Sequence, residues 1–179
     1  FHNTITDLID RQRRSYPQYR NIEEATIMGI EVEAAYDSDN WFASLGFAYT
    51  QGENNTTNQP LTTVAPPELT TNLGYRFVDY GLTFGWNGRF VFDETRNPLP
   101  TLGRFVTQAN IDEAALQKQG FHTHDLYLTW RPDEESMFHG WEANARVENV
   151  FDRRYQDFLA EDPAMGRTFR VSLTREFGV

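Results

Sequence analysis

Two histidines, in the pattern His122-Thr123-His124, are the residues of this 179-residue chain whose spacing best suits a metal ion. Residues two positions apart on a strand share a face, so both imidazoles could reach one ion. The same alternation puts both rings on the face that carries Leu126 and Leu128. We therefore expect solvated histidines at a strand end, and we keep His122 and His124 only as weak candidate metal ligands.

Arginines and tyrosines are concentrated in a polar segment, residues 10–24, and two more arginines occur in the polar segment 93–120. Guanidinium groups bind carboxylates through paired hydrogen bonds and stack on rings, so such a set could bind a carboxylate or catecholate ligand. The alternative is an ordinary solvated basic loop. The candidate ligand-binding residues are Arg11, Arg13, Arg14, Tyr16, Tyr19, Arg96 and Arg104.

Catalysis has little support in the sequence. The chain has no cysteine, and neither Gly-x-Ser-x-Gly nor His-Glu-x-x-His occurs in it. Glu31 and Glu33 share a strand face and could act as acid and base, but polar residues facing water explain them better. The net charge of −10 also argues against nucleic-acid binding, which needs a basic surface. We predict a protein that is not an enzyme and binds no nucleic acid.

The segments that carry these residues alternate between apolar and polar side chains. From Trp141 to Glu148 every odd position is apolar and every even position is polar. Alternation of this kind predicts a strand and does not fit a helix. The predicted strands are residues 1–9, 25–36, 41–50, 67–77, 81–92, 121–131, 141–148 and 167–177.

The connections between these strands alternate in length, which predicts an antiparallel up-and-down arrangement with all long loops on one side. The short links are 37–40, 78–80 and 132–139, and the last of them begins with a proline, which ends a strand. The long loops are 10–24, 51–66, 93–120 and 151–166. Within the third long loop, residues 111–119 are expected to form a short helix.

A mean hydropathy of −0.62 would suggest a soluble protein, but strands that alternate across a membrane also average to a polar score. No apolar run approaches the roughly 18 residues of a spanning helix. Outward aromatic residues fall near both strand ends: Trp41 and Tyr49, for example, are eight residues apart, or roughly 20 Å at a tilt near 40°. We therefore predict a transmembrane β-barrel; the alternative is a soluble β-sandwich.

Four stretches carry a family resemblance: 25–34 (ATIMGIEVEA), 66–76 (PPELTTNLGYR), 147–155 (VENVFDRRY) and 166–173 (GRTFRVSL). They resemble, in order, strands and the Asn-hydrophobic-Phe-Asp-basic-basic-Tyr signature of the C-terminal part of TonB-dependent outer-membrane receptors. The chain departs from that family in one place, because Phe177 is followed by Gly178 and Val179 rather than ending the chain.

The resemblance implies an all-β fold of antiparallel up-and-down transmembrane β-barrel strands, about eight of them, within a larger barrel of about 22. Residues 1–179 would be the C-terminal part of this barrel, and the plug domain and the TonB-interacting segment would lie outside the chain. The start inside a predicted strand also suggests a fragment. The alternative is a small closed barrel of eight strands with a structural or adhesive role, in which strands 1–9 and 167–177 would pair.

The function implied by the resemblance is uptake of a large, scarce nutrient by TonB-dependent active transport across the bacterial outer membrane, with the C-terminus on the periplasmic side. Haem or another iron complex is the expected ligand, and a ferric siderophore is the alternative. No permanently bound cofactor is expected. The expected partners are outer-membrane lipid, the TonB complex, the haem or iron chelate, and a haem-carrying protein.

Overall fold

The structure is a computed structural model that describes residues 1–12, 18–97, 99, 106–160 and 162–177. Within these residues, nine strands form one antiparallel sheet. The strands are β1 (His2–Gln12), β2 (Gln18–Asp37), β3 (Trp41–Asn54), β4 (Gln59–Pro60), β5 (Glu68–Phe77), β6 (Leu82–Val91), β7 (Phe121–Trp130), β8 (Trp141–Glu148) and β9 (Thr168–Arg175).

Strand order follows chain order, β1-β2-β3-β5-β6-β7-β8-β9, and the two-residue β4 pairs with β3. The predicted up-and-down arrangement is therefore confirmed. The links at 38–40, 78–81 and 131–140 lie at one end of the sheet, which we call the short-connection end. The described residues of the segments 55–67, 92–120 and 149–167 lie at the opposite, long-connection end.

The helices are few. A 3-10 helix, Val78–Tyr80, follows β5, and α1 (Gln108–Lys118) precedes β7, where a short helix was predicted. Thr107 caps α1: its hydroxyl accepts the Asn110 N–H, and the Asn110 side chain accepts the Thr107 N–H. None of the helices in the described ranges has both the length and the apolar character needed to cross a membrane.

The main difference from the predicted strands lies in the first long loop, residues 10–24. There β1 continues to Gln12 and β2 begins at Gln18, so the described parts of this loop are a strand ladder. Before Glu24, β2 pairs with β1 alone among the described residues. Residues 7–12 and 18–23 therefore form a two-stranded ribbon. Backbone hydrogen bonds hold such a ladder without apolar alternation, and the sequence pattern could not reveal it.

The two faces of the sheet differ sharply. The apolar face carries exposed large side chains: Val171 is 83% exposed, Phe169 71% and Ile30 62%. Buried apolar residues are few among those described and lie near the long-connection end: Ala25, Leu61, Val64, Val91 and Phe121. A soluble sandwich would cover one face with a second sheet. The described residues provide no such layer, which is inconsistent with the sandwich alternative.

Both edges of the sheet are open. Within the described residues, β1 pairs with β2 alone and β9 pairs with β8 alone. The first and last strands are thus not joined to each other. A closed eight-stranded barrel requires that pairing, so the small-barrel alternative is wrong for this structure.

Candidate functional site

The polar face of the sheet carries amide and charged side chains at matched levels. Ser44, Asn72, Asn87 and Asp125 lie side by side on β3, β5, β6 and β7. The Asn72 amide donates to Asn87 Oδ1 at 2.5 Å and to the Tyr127 hydroxyl at 3.0 Å. This row is a continuous polar surface across four strands.

Arg89, on β6, connects this surface to the 149–167 loop. Its Nε and Nη2 donate to the two carboxylate oxygens of Glu68, at 2.8 and 2.9 Å, and its Nη1 donates to Asp157 at 2.6 Å. The guanidinium also lies 5.2 Å from the centre of the Phe121 ring. The Arg89 side chain therefore links its own strand, β6, to β5 and to the 149–167 loop.

A second chain of ion pairs crosses β7, β8 and β9. Arg146 contacts Asp125 at 3.0 Å and Glu148 at 3.7 Å, and Glu148 accepts from Arg170 at 2.9 Å. Arg146 and Arg170 are direct cross-strand neighbours, so the carboxylates beside them offset a repulsive pair of like charges. The charges on this part of the polar face are thus largely satisfied internally.

The 149–167 loop is ordered by two residues in the left-handed region. Asn149 has a φ of 51°, and its side chain donates to the Arg153 carbonyl and accepts the Arg153 N–H, each at 2.8 Å. Asp152 has a φ of 53° and accepts the Arg167 N–H at 2.8 Å. Asn and Asp tolerate this conformation better than other side chains, which explains two positions of the 147–155 stretch.

The outer part of the same loop packs against β7 and α1. The Tyr155 ring stacks on Phe121 with centroids 4.2 Å apart, and burial raises the pKa of the Tyr155 phenol. The Gln156 side chain is buried and donates to the Ala160 carbonyl at 2.9 Å. Gln117 of α1 donates to that same carbonyl at 2.9 Å, so one carbonyl joins the helix to the loop.

A polar recess of about 560 Å³ lies between the sheet and this loop. Its walls include Asn72, Arg89, Asp125, Asn149 and Tyr155. The volume falls in the range of small-molecule sites, about 300–1,000 Å³. The recess is open on the polar face, and most of the charged groups around it already have partners within the protein.

Arg96, a candidate ligand-binding residue, is held by its own surroundings. Its guanidinium contacts the Glu94 carboxylate and donates to the Thr50 carbonyl at 2.7 Å and to the Val64 and Ala65 carbonyls at 3.1 Å. Burial raises the pKa of the fully buried Glu94 carboxyl, but the hydrogen bonds and charge of Arg96 lower it by more, so the net shift is downward. This pair fixes the start of the 92–120 segment against β3.

The remaining ligand candidates lie at the first long loop or in the third. Arg11 and Tyr19 face each other in the β1–β2 ladder, although their side chains are outside the described part of the structure. Arg13, Arg14 and Tyr16 lie outside the described residues, as does Arg104. Their role in ligand binding stays a prediction.

The two histidines lie on the apolar face, as the alternation predicted. His122 Nδ1 and His124 Nε2 are 3.2 Å apart, and the Trp86 indole donates to His124 Nδ1 at 3.1 Å. The rings of Phe90 and Phe151 contact His124 edge-on. Nowhere in the described ranges do three or more His, Cys, Asp or Glu side chains group to hold a metal ion. His122 and His124 stay weak candidate ligands.

Two glycines on the polar face are covered by rings from neighbouring strands. A Cβ added to Gly74 would lie 2.1 Å from the Phe42 ring, and one added to Gly85 would lie 2.1 Å from the Tyr127 ring. Both rings therefore lie flat along the sheet instead of projecting from it. Sequence reasoning had not identified the rings that require glycine at these two positions.

The Arg89 network was also missed by sequence reasoning, which searched the loops for ligand groups. A usable signal existed, because Glu68 and Arg89 lie on the same face of neighbouring strands. Opposite charges with matched alternation on adjacent strands indicate a cross-strand ion pair. Asp157 carried no such signal, because it belongs to no strand.

Known proteins resemble this chain along nearly its whole length. TonB-dependent heme receptor A of Haemophilus influenzae (strain ATCC 51907 / DSM 11121 / KW20 / Rd) is 28% identical over 191 residues, covering 98% of this chain and 24% of that protein. Heme/hemopexin utilization protein C of Haemophilus influenzae (strain 86-028NP) is 23% identical, covering 99% and 24%. The chain therefore spans about a quarter of the length of these relatives.

Among solved structures, the copper transporter OprC superposes with a TM-score of 0.76 at 25% identity, covering 97% of this chain and 26% of that one. The model of the family described as TonB dependent receptor-like, beta-barrel matches residues 1–150. This family comprises receptors and transporters, which confirms the prediction that the chain is not an enzyme. The resemblance seen in the four sequence stretches is likewise confirmed, and the chain belongs to the TonB-dependent receptor-like β-barrel family.

Proposed function

We propose that this chain is part of an outer-membrane receptor that takes up haem or another iron complex, using energy supplied through TonB. The observation that carries the proposal is the similarity, over 98% of this chain, to a protein named TonB-dependent heme receptor A. The open sheet, with one uncovered apolar face and one polar face, is what a section of membrane-barrel wall requires.

The experiment is growth of iron-starved cells on haem. Cells that lack the full receptor containing this chain should not grow on haem, and the restored gene should rescue growth only where TonB is present. Growth of the deletion strain on haem would contradict the proposal. Rescue on a ferric siderophore but not on haem would instead assign the alternative ligand.

We propose further that residues 1–179 form the closing C-terminal part of a larger barrel, with a plug domain and a TonB-interacting segment elsewhere in the full protein. Both sheet edges are open among the described residues, and the chain spans about a quarter of its relatives. Cross-linking of paired cysteines, one on β1 and one on a preceding strand of the full protein, should succeed if the edge is filled by the same chain. Failure at every register would contradict the larger barrel.

We propose a membrane orientation from the lengths of the connections at the two ends of the sheet. Bacterial barrels have short periplasmic turns and longer extracellular loops, so we place the short-connection end and the C-terminus in the periplasm. Because the chain has no cysteine, Asp39→Cys and Asp112→Cys supply single labels at opposite ends. A membrane-impermeant maleimide added to intact cells should label the α1 position and spare the β2–β3 turn. The reverse pattern would overturn the orientation.

For ligand contact we propose the arginines and tyrosines predicted from sequence: Arg11, Arg13, Arg14, Tyr16, Tyr19, Arg96 and Arg104. The double variant Arg13→Gln/Arg14→Gln should weaken haem binding by the full receptor, whereas Arg131→Gln, at the short-connection end, should not. Equal haem affinity in all three proteins would contradict this assignment. Binding of haem presented on a carrier protein, compared with free haem, would test the proposed haem-carrying partner.

The weak metal candidates are tested separately from the ligand loops. His122→Gln/His124→Gln should leave haem uptake unchanged if these residues are solvated histidines on the outer wall, as we propose. Loss of uptake at a normal amount of receptor would give them a role in binding the iron ligand. A normal amount can be checked by immunoblotting of the outer-membrane fraction.

A further inference from the structure

Three arginines differ from the others whose side chains the structure describes. Arg153, Arg154 and Arg167 are exposed and form no ion pair with any described residue. Arg175 lies over the rings of Trp141 and Phe177. The ion-paired arginines are Arg76, Arg89, Arg96, Arg131, Arg146 and Arg170. In a chain with a net charge of −10, three arginines without an ion pair among the described residues require an explanation.

Backbone contacts fix these three arginines at one place, where the chain leaves β8 and enters β9. Asp152 accepts the Arg167 N–H at 2.8 Å, and Asn149 accepts the Arg153 N–H at 2.8 Å. Residues 152–154 are therefore held beside residue 167, although these positions are far apart in sequence. The arrangement does not depend on the arginine side chains themselves.

Exposed apolar side chains border this position. Phe151 is 69% exposed, Met165 70% and Phe169 71%. Arg167 precedes Phe169 by two residues, so alternation assigns it to the apolar face, and Phe151 contacts His124, which lies on that same face. Arg167 therefore lies at the long-connection border of the apolar face, and the Asp152 bond to its N–H holds the segment that carries Arg153 and Arg154 beside it.

We propose that Arg153, Arg154 and Arg167 bind the phosphate of a membrane lipid head group, while Phe151 and Phe169 contact its acyl chains. The proposal rests on the membrane placement proposed above. Guanidinium groups bind phosphate through paired, charge-assisted hydrogen bonds, and basic side chains at a membrane surface attract anionic lipid. Three cations without an ion pair among the described residues, beside exposed aromatic rings, complement a ligand with an anionic head and an apolar tail.

The test measures lipid binding to the full receptor in a neutral detergent by native mass spectrometry. The probes are phosphatidic acid and diacylglycerol with the same acyl chains, which differ only in the phosphate. The variant is Arg153→Gln/Arg154→Gln/Arg167→Gln. Its affinity for phosphatidic acid should fall on the order of 100-fold, because each arginine near a lipid surface contributes about a factor of five. Its affinity for diacylglycerol should be unchanged.

The matched control is Arg175→Gln, at the opposite end of β9, which should leave the affinity for phosphatidic acid unchanged. An unchanged affinity in the triple variant, or an equal loss in the control, would overturn the inference. Displacement of the lipid by inorganic phosphate alone would also overturn it, because the site would then be one for free phosphate. Outer-membrane fractionation separates this inference from the proposed function: a receptor found in that membrane whose triple variant binds lipid normally refutes the inference alone.

Discussion

Replacing Arg89 with methionine should free the 149–167 loop from the sheet while leaving the strands in place. Arg89 is the residue that joins Glu68 of β5 to Asp157 of the loop. Methionine keeps much of the apolar stem and removes the charge. Glu68 would then lose both of its bonds to Arg89, and Asp157 would lose the bond that holds it to β6.

The size of the effect follows from the exposure of these groups. Charge-assisted hydrogen bonds contribute roughly 1.5–3 kcal/mol when protected from solvent. The Arg89 side chain is 35% exposed and that of Asp157 is 44%, so screening reduces their bond to about 1 kcal/mol or less. The contact of Arg89 with the Phe121 ring lies between β6 and β7 and does not change when the loop opens, so it adds nothing to this figure. Opening of the loop should become easier by about 0.5–1 kcal/mol, which is roughly a 2- to 5-fold larger opening constant.

Hydrogen exchange of the full receptor, read by mass spectrometry, measures this opening directly. Amides of residues 155–160 should exchange roughly 2 to 5 times faster in Arg89→Met than in the unmodified receptor. Amides in the centre of β5 and β6 should keep their rates. Arg170→Met is the control, because it removes an ion pair to Glu148 from the same face without touching Asp157.

Unchanged exchange at residues 155–160 would refute the reasoning, because contacts such as the Tyr155 stack on Phe121 and the Gln117 bond to the Ala160 carbonyl would then suffice to hold the loop. An equal acceleration in Arg170→Met would refute it as well. The faster exchange would then result from removing any positive charge from the polar face, not from losing the Arg89–Asp157 bond. A cycle with Asp157→Asn isolates the Arg89–Asp157 pair, for which we expect a coupling of about 0.5–1 kcal/mol.

Gly85→Ala should reduce the amount of folded receptor in the outer-membrane fraction, because the added Cβ would lie 2.1 Å from the Tyr127 ring; the second change Tyr127→Ala should restore it. Because the native pKa of Glu94 lies below its ordinary value of 4.5, its stabilising pair with Arg96 is fully present above that value and is lost as pH falls through the lower native pKa. Cleavage of segment 92–97 by an acid-active protease should therefore rise as the pH falls below 4.5, and Glu94→Gln should abolish this rise. Asn149→Ala should destabilise the 149–167 loop by about 1–3 kcal/mol and Asn149→Gly by less, because glycine keeps the φ of 51° and loses only the side-chain hydrogen bonds; the exchange rates of the loop amides measure the difference.

Much of the fold could be predicted because the two faces of a barrel strand contact different surroundings, one apolar and one polar. Alternate residues of the strand are therefore apolar and polar. In the stretch from Trp141 to Glu148, the predicted bounds and the observed β8 agree. The limits of β1 and β2 were wrong, because alternation reports which face contacts apolar surroundings, and the ribbon continues beyond that zone. Backbone pairing such as Arg11 with Tyr19 leaves no trace in side-chain polarity.

The site was harder to predict than the fold, because its side chains come from different strands and a loop. The pairing register of the strands and the packing of the loop bring them into contact. Arg89 and Asp157 are 68 residues apart in sequence, and no local pattern links them. Arg96 illustrates the opposite difficulty: its type suited an anionic ligand, but four neighbouring residues of the chain supply acceptors to its guanidinium. Whether an arginine is bound by acceptors of its own chain depends on how the loops pack. The alternation of apolar and polar residues along the strands carries no information about loop packing.

The ribbon of residues 7–12 and 18–23 extends on the order of 20 Å past the last backbone contacts with β3, at about 3.3 Å per residue. Of its two strands, β2 continues through thirteen cross-strand pairs with β3, from Ala25 to Asp37. Hydrogen bonds in such a ladder lie perpendicular to the strand. A pull along β2 would therefore shear all these bonds at once rather than peel them singly. A force applied to the end of the ribbon would therefore be resisted by all thirteen β2–β3 pairs together.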